Sequence, residues 1–242
     1  MSNSATIEKI KEMKLFGMQR AFELSMETAS TNDFTKDEFI AYLIEAEYNN
    51  RQTRKMERLI KSARFRYGAE IEQVHYPHSR GLDKNQLLRL AEGSFIKQRE
   101  NIIITGPTGV GKSYIASALG RQACIYGYKV LYYNSSKLFS MLKMSKADGS
   151  YVKQIDRIEK QDLLILDDFG LHPLDEQSKL SLLEIIEDRH GKRSTIITSQ
   201  IPVNKWYELL DNKTIADAIL DRIVHTAHRI ELKGESMRKI KN

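Results

Sequence analysis

The sequence predicts an α/β protein, a parallel sheet flanked by helices, preceded by a small all-helical domain. Three observations predict it. Residues 1–67 contain no proline and keep helical spacing of their apolar positions. From Asn101 onward, short continuous apolar runs alternate with helical stretches, the pattern of strands buried on both faces. The first of those runs leads directly into a glycine-rich loop that opens a helix.

The N-terminal domain is read as residues 1–67. Thr35-Lys36-Asp37-Glu38 fits a capping box, in which the Thr35 hydroxyl accepts from the Glu38 amide and the Glu38 side chain reaches back. Phe39, Ile40, Leu43 and Ala46 follow at helical spacing. Met56, Leu59, Ile60 and Ala63 form one stripe, with Arg51, Arg54, Lys55, Arg58 and Lys61 opposite it. That basic face could meet an acidic partner or simply be solvated.

The second domain is read as residues 68–242. Gly68 to Gly81, with Pro77, reads as a linker. A short helix follows, N-capped by Asp83, with Leu87, Leu88 and Ala91 inward and Gly93 ending it. Strands are expected at Ile102–Thr105, Lys129–Tyr133, Leu163–Asp167 and Ser194–Ser199, with a fifth at Arg229–Leu232.

Gly106-Pro107-Thr108-Gly109-Val110-Gly111-Lys112-Ser113 matches G-x-x-x-x-G-K-[ST], and Tyr114 continues it into the helix. Glycines let the backbone wrap tightly and aim its N–H groups at phosphate oxygens, and the helix dipole points at the same anion. Lys112 would reach the terminal phosphates of a nucleotide, and Ser113 would ligate Mg2+. A chance match in a chain of 242 residues is on the order of one in a hundred. The strand before and the helix after lower that further.

Leu163-Leu164-Ile165-Leu166-Asp167-Asp168 is an apolar strand ending in two acids. Buried carboxylates are costly without a cation. Asp167 would hold Mg2+ and Asp168 would polarise an attacking water. The plainer alternative is an aspartate capping the turn near Gly170 and Pro173. Lys129–Tyr133 falls between the loop and the acids. An inserted strand with a second acid suggests hydrolysis by water rather than transfer to a small-molecule acceptor.

Composition is that of a globular protein, 41% hydrophobic and 29% charged. No run is long enough to span a membrane, and the start, MSNSATIEKIKEM, lacks a secretory signal. The single cysteine, Cys124, has no internal partner, which fits a reducing, cytoplasmic setting. The net charge of +6 and pI near 9.2 are compatible with nucleic acid as a partner. His75 and His78 flank Pro77, and His225 and His228 lack a joining acid or cysteine; neither pair predicts a metal site. Trp206 is expected to anchor a helix.

These motifs together resemble the IstB-like ATPases, helper proteins of a bacterial insertion-sequence transposase, whose AAA+ core is shared with DnaC-type helicase loaders. The segments that carry the likeness are Arg99-Glu100-Asn101, the phosphate loop, Asp162 to Asp168, Thr198-Ser199-Gln200, Ile219-Leu220-Asp221-Arg222 and Gly234-Glu235-Ser236-Met237-Arg238. The resemblance implies an AAA+ (ASCE) P-loop ATPase using ATP and Mg2+, active as a homo-oligomer in the bacterial cytoplasm. Ser199 or Gln200 resembles sensor 1, Arg222 an arginine finger donated to a neighbouring subunit, and Arg238 a sensor 2 arginine. This chain has Gln200 where the family often has Asn, and Asp168 where AAA+ proteins commonly have Glu.

The resemblance also points at the segment after the second strand as a DNA contact, through Lys137, Lys143, Lys146 and Lys153. Such lysines would neutralise phosphates without reading bases. The implied partners are double-stranded DNA, the cognate transposase and other copies of the chain. The alternative is a DnaC-like loader acting on a replicative helicase and single-stranded DNA.

Overall fold

The computed structural model describes residues 3–28, 31, 33–225 and 227–237. The chain forms two compact units, Met1–Arg58 and Leu59–Asn242. The division falls inside a helix, nine residues before the boundary read from the sequence.

The first unit holds helices α1 (Asn3–Glu12), α2 (Phe16–Glu27) and most of α3 (Lys36–Ala63). The predicted capping box opens α3: the Thr35 amide donates to Glu38 at 2.8 Å and the Glu38 amide donates to the Thr35 hydroxyl at 3.3 Å. Glu47, buried on α3, accepts from the Gly17 and Met18 amides at 2.8 and 3.2 Å, and pairs with Arg51 at 2.7 Å. A carboxylate on one helix thus caps the N-terminus of another, where unpaired amides and the helix dipole favour an anion. Phe39, Leu43 and Ala46 are half-buried, whereas Ile40 is exposed, together with Ile44 and Tyr48 on the same side of α3.

The second unit begins with the last turn of α3. Two short 3-10 turns, Ile71–Gln73 and His78–Arg80, lead to α4 (Lys84–Ala91) and α5 (Ser94–Gln98). The segment expected to be a linker is instead part of the core: Ala69, Ile71 and Val74 are buried. Its glycines and proline shape the turns, but its apolar residues pack. Asp83 caps α4 through the Asn85 and Gln86 amides at 2.8 and 3.3 Å. Leu87 is buried, while Leu88, expected inward, is exposed.

The remaining elements are β1 (Asn101–Thr105), α6 (Lys112–Ile125), β2 (Val130–Asn134), α7 (Ser135–Ala147), α8 (Tyr151–Glu159), β3 (Leu163–Phe169), α9 (Glu176–Arg189), β4 (Ser194–Ser199), α10 (Trp206–Leu210), α11 (Lys213–Val224) and β5 (Ala227–Glu231). The five strands among the described residues pair in parallel, in the order β2-β3-β4-β1-β5. The strand between β1 and β3 is therefore β4, whereas β2, expected there from its place in the sequence, is an edge strand beyond β3.

Alternate residues on each strand face opposite sides. Ile102, Ile104, Ile165 and Ile196 join one core layer with α4, α5 and α6. Ile103, Leu164, Leu166 and Ile197 join the other with α7 to α11. Trp206 is fully buried in the second layer, edge-on to Phe169 at 4.9 Å between ring centres. Cys124 is buried in the first layer, and burial pushes its thiol up to about 12. Asn101 fastens the start of β1: its carbonyl accepts from the Thr195 amide at 2.9 Å, and its amide donates to the Arg222 and Ile223 carbonyls at 3.4 Å. No helix is long and apolar enough to cross a membrane, among the described residues.

Candidate functional site

The carboxyl ends of β3, β4 and β1 lie side by side, at the end of the sheet where open α/β folds bind ligands. Thr105 at the end of β1 pairs with Ser199 of β4 and Glu231 of β5. The glycine loop leaves β1 at this point and α6 begins at Lys112. Gly106 (φ 145°) donates its amide to the Ser199 carbonyl at 3.3 Å and lies so close to Leu232 that a Cβ would strike the Leu232 carbonyl. Only glycine fits there.

Lys112 is buried and donates to the Gly106 and Pro107 carbonyls at 2.7 and 2.8 Å. Burial holds its pKa below the ordinary lysine value, against the opposing pull of Asp168 and Asp167. Arg80, also buried, braces the loop from behind, donating to the Val110 carbonyl at 2.9 Å and the His75 carbonyl at 2.6 Å. The C-terminal segment covers the loop's other side, where the Met237 amide donates to the Gly109 carbonyl at 3.0 Å. Arg238, one residue further on, lies outside the described residues.

The acid pair sits at a break in the β3–β4 ladder, where the register shifts between Leu166 and Phe169. Asp168 takes a left-handed conformation, φ 58°. Asp167 is fully buried and accepts from the Thr198 and Tyr132 hydroxyls. Burial and the neighbouring Asp167 raise the Tyr132 pKa, which keeps that phenol a donor. Asp168 accepts from Asn134 at 3.2 Å, and its amide donates to Thr198 at 3.0 Å. Arg66 reaches both acids, at 3.3 Å from Asp167 and 2.9 Å from Asp168.

Arg66, Tyr132, Asn134 and Thr198 were not singled out as site residues from the sequence. Thr198 stood in a motif beside residues given the role instead. Ser199 is fully buried, donates to the Phe169 carbonyl at 2.8 Å and accepts from the Ile201 amide at 3.0 Å. Gln200 faces the loop and accepts from the Thr108 hydroxyl at 2.7 Å. Tyr114 lies on α6 against Tyr67, with its hydroxyl donating to Gln73 at 3.2 Å.

The donor set suits magnesium. Ser113 and Asp167 would supply hard oxygens, and the fully buried Asp167 carboxylate favours a cation beside it, a place that Arg66 takes in this structure. Mg2+ usually takes only one or two protein ligands, with waters and phosphates completing its shell.

Two sets of predicted residues lie away from the loop. Arg222 on α11 pairs with Glu187 on α9 at 3.0 Å and donates to the Ala218 carbonyl at 2.7 Å. Lys137, Lys143 and Lys146 on α7 and Lys153 on α8 are all exposed. Lys143 pairs with Asp175 at 3.1 Å, and Lys146 stands 4.5 Å from the Tyr151 ring centre.

The fold is similar to that of solved AAA+ proteins. The DnaC helicase loader superposes with a TM-score of 0.55 at 19% identity, covering 69% of this chain and 98% of that one. AMPPCP-bound DnaA from Aquifex aeolicus gives 0.60 at 17% identity, covering 73% and 54%. Sequence relatives are nearer. An insertion sequence ATP-binding protein of Sinorhizobium fredii is 44% identical over 234 residues, 97% of this chain and 96% of the relative. The IS21 ATP-binding protein of Pseudomonas aeruginosa is 30% identical over 229 residues, 95% and 86%. The family model described as IstB-like ATP binding protein matches residues 8–242. With a P-loop AAA+ fold and this likeness along nearly its whole length, the chain belongs to the IstB-like ATP-binding proteins of insertion sequences.

Proposed function

We propose that the chain is an ATP-dependent, DNA-binding regulator of transposition, working in the bacterial cytoplasm. It binds ATP with Mg2+, assembles with copies of itself on duplex DNA, and recruits or activates a transposase. Hydrolysis to ADP and phosphate, slow by itself and stimulated by assembly, controls disassembly. The observation that carries this reading is the gathering of the phosphate loop, Asp167–Asp168 and Gln200 at one end of the sheet in a member of this family.

Placement supports the roles given to the described residues. The backbone amides of Thr108 to Tyr114, held in place by Gly106 and Pro107, and the Lys112 ammonium bind the phosphates, with Lys112 leaving the Gly106 and Pro107 carbonyls to do so. Mg2+, held by Ser113 and Asp167, would neutralise charge on the phosphate oxygens. Asp168 orients the attacking water, its backbone fixed by Thr198. Gln200 is the better candidate for reading the terminal phosphate, because Ser199 is engaged with Phe169 and Ile201. Arg238 is assigned the sensor 2 role on the resemblance alone.

Arg222 lies beside Asn101 at the start of β1, the end of that strand opposite the phosphate loop, which supports a role toward a neighbour's site rather than its own. Lys137, Lys143, Lys146 and Lys153 form the duplex contact. The helices of the first unit meet the transposase or other subunits, and exposed Ile40, Ile44 and Tyr48 on α3 suit that purpose. A helicase loader would share the core, but the relatives that span nearly all of this chain are named for insertion sequences.

Electron microscopy of the protein with duplex DNA and ATP tests the reading. Ordered assemblies are expected with ATP and not with ADP, and Lys112→Ala should abolish them. Assembly that ignores nucleotide, or survives Lys112→Ala unchanged, would sink it.

A further inference from the structure

Arg66 is not part of the phosphate loop or of any motif shared by P-loop proteins, yet one of its nitrogens touches both acids. The local chain explains how it gets there. α3 ends at buried Ala63, and Arg64 takes a left-handed turn, φ 58°. Phe65 then stands edge-on to Tyr132, ring centres 6.4 Å apart, and Tyr67 leans on Tyr114 at 6.2 Å. These two aromatics pin the backbone on either side, so Arg66 projects onto Asp167 and Asp168.

Two features separate this contact from a permanent brace. The Arg66 side chain is 42% exposed, so it can leave without opening the core. Its guanidinium already lies 5.5 Å from the Tyr67 ring centre while it touches the acids, so one partner stays within reach when the acids are given up. Asp167 has two neutral donors besides Arg66, the Thr198 and Tyr132 hydroxyls. Two adjacent carboxylates favour one compensating cation, and a second cation at the same oxygens is repelled by the first.

We infer that Arg66 is a resident counter-cation of the acid pair, displaced when Mg2+ binds, and so sets the metal concentration at which nucleotide is retained. The inference rests on the ATP·Mg2+ reading above. Displacement links the two events thermodynamically: what holds Arg66 on the acids opposes the metal by the same free energy.

Mn2+, which reports its free concentration by electron paramagnetic resonance, is titrated into protein with a non-hydrolysable ATP analogue. Arg66→Ala should lower the Mn2+ needed for half-saturation about fivefold, equivalent to about 1 kcal/mol. Arg66→Lys, which keeps the charge but loses the fork, should fall between. Melting supplies a readout independent of turnover. In EDTA, Arg66→Ala should melt below wild type, because Asp167 loses its cation. With saturating Mg2+ and analogue the gap should close.

An unchanged Mn2+ requirement, or a melting gap that persists with metal and nucleotide, overturns the inference and leaves Arg66 a fixed brace. Should Arg66→Ala fail to fold, the same two comparisons are made with Arg66→Lys. Wild type that binds neither analogue nor metal overturns the ATP reading itself, and that result is visible before any variant is made.

Discussion

Thr198 donates its hydroxyl proton to the buried Asp167 carboxylate while the same oxygen accepts the Asp168 amide at 3.0 Å. One side chain on β4 thus holds both acids of β3, across the place where the ladder between these strands loses register. Such a hydroxyl does two jobs. It compensates a buried charge, and it fixes the left-handed backbone at Asp168, where both carboxylates come within reach of Arg66.

Thr198→Val keeps the shape and removes the hydroxyl. It leaves one amide unpaired and one buried carboxylate short of a donor, so stability should fall by about 1–3 kcal/mol. ATP turnover should fall further than ATP affinity, because Asp168 loses its fixed backbone. Thr198→Ser should restore most of both. Denaturant melts and steady-state turnover on the three proteins check this; a valine variant with wild-type turnover would show that Thr198 does not position the acids.

Gly106 and Gly149 both have positive φ, but their surroundings differ. A Cβ at Gly106 would strike the Leu232 carbonyl, whereas one at Gly149 meets nothing within 4 Å. Gly149→Ala should therefore cost only the left-handed strain of roughly 1–2 kcal/mol and leave nucleotide affinity intact. Gly106→Ala should displace the loop or Leu232 and lower nucleotide affinity at least about tenfold, since a loop amide cradle tolerates little movement. Calorimetric titration with ATP distinguishes the two; equal effects would mean the loop is set by strain and not by its packing on Leu232.

What could be read in advance follows the range of the interactions involved. The phosphate loop, the Thr35–Glu38 box and the Asp83 cap are local, so spacing alone predicts them. The strands were legible because Ile102–Ile104 and Leu163–Leu166 are apolar on both faces. Sheet order was not legible, since a residue pattern does not say that β4 lies between β1 and β3. Arg66 meets Asp167 from 101 positions away, and nothing in its own neighbourhood marks it. Residues 68–81 misled for another reason: turn-forming glycine and proline stand beside Ala69, Ile71 and Val74, which pack as core.

Arg222 and Glu187 form a half-exposed pair joining α11 to α9. If Arg222 serves a neighbouring subunit, it must exchange Glu187 for phosphate oxygen on assembly. Arg222→Ala alone and Asp168→Asn alone should each turn over ATP at least about 100-fold more slowly than wild type. Mixed in equal amounts, they should recover a measurable fraction, because some interfaces unite a sound acid with a sound arginine. Recovery of nothing, with both variants still assembling, would place Arg222 outside the shared site. Glu187→Ala should leave folding nearly unchanged, since a pair this exposed contributes at most about 1 kcal/mol.

The four lysines of α7 and α8 make separable predictions, because they are not equally free. Lys143 is already paired with Asp175, whose carboxyl is held down to about 2 by Ser178 and Lys143, and Lys146 lies against Tyr151. Lys137 and Lys153 are exposed. If all four meet phosphates, Lys137→Ala and Lys153→Ala should weaken duplex binding equally across sequences, each reducing the slope of log affinity against log salt by about 0.9. Lys143→Ala should cost less, because the free protein no longer has to surrender the Asp175 contact. Asp175→Asn should strengthen binding by freeing Lys143, and its hydrogen bond to the Ser178 amide, the cap of α9, can be kept by asparagine. Filter binding or anisotropy across a salt series separates these outcomes. A slope unchanged in Lys137→Ala and Lys153→Ala moves the duplex to another surface of the protein, and the basic face of α3 from Arg51 to Lys61 becomes the next one to test.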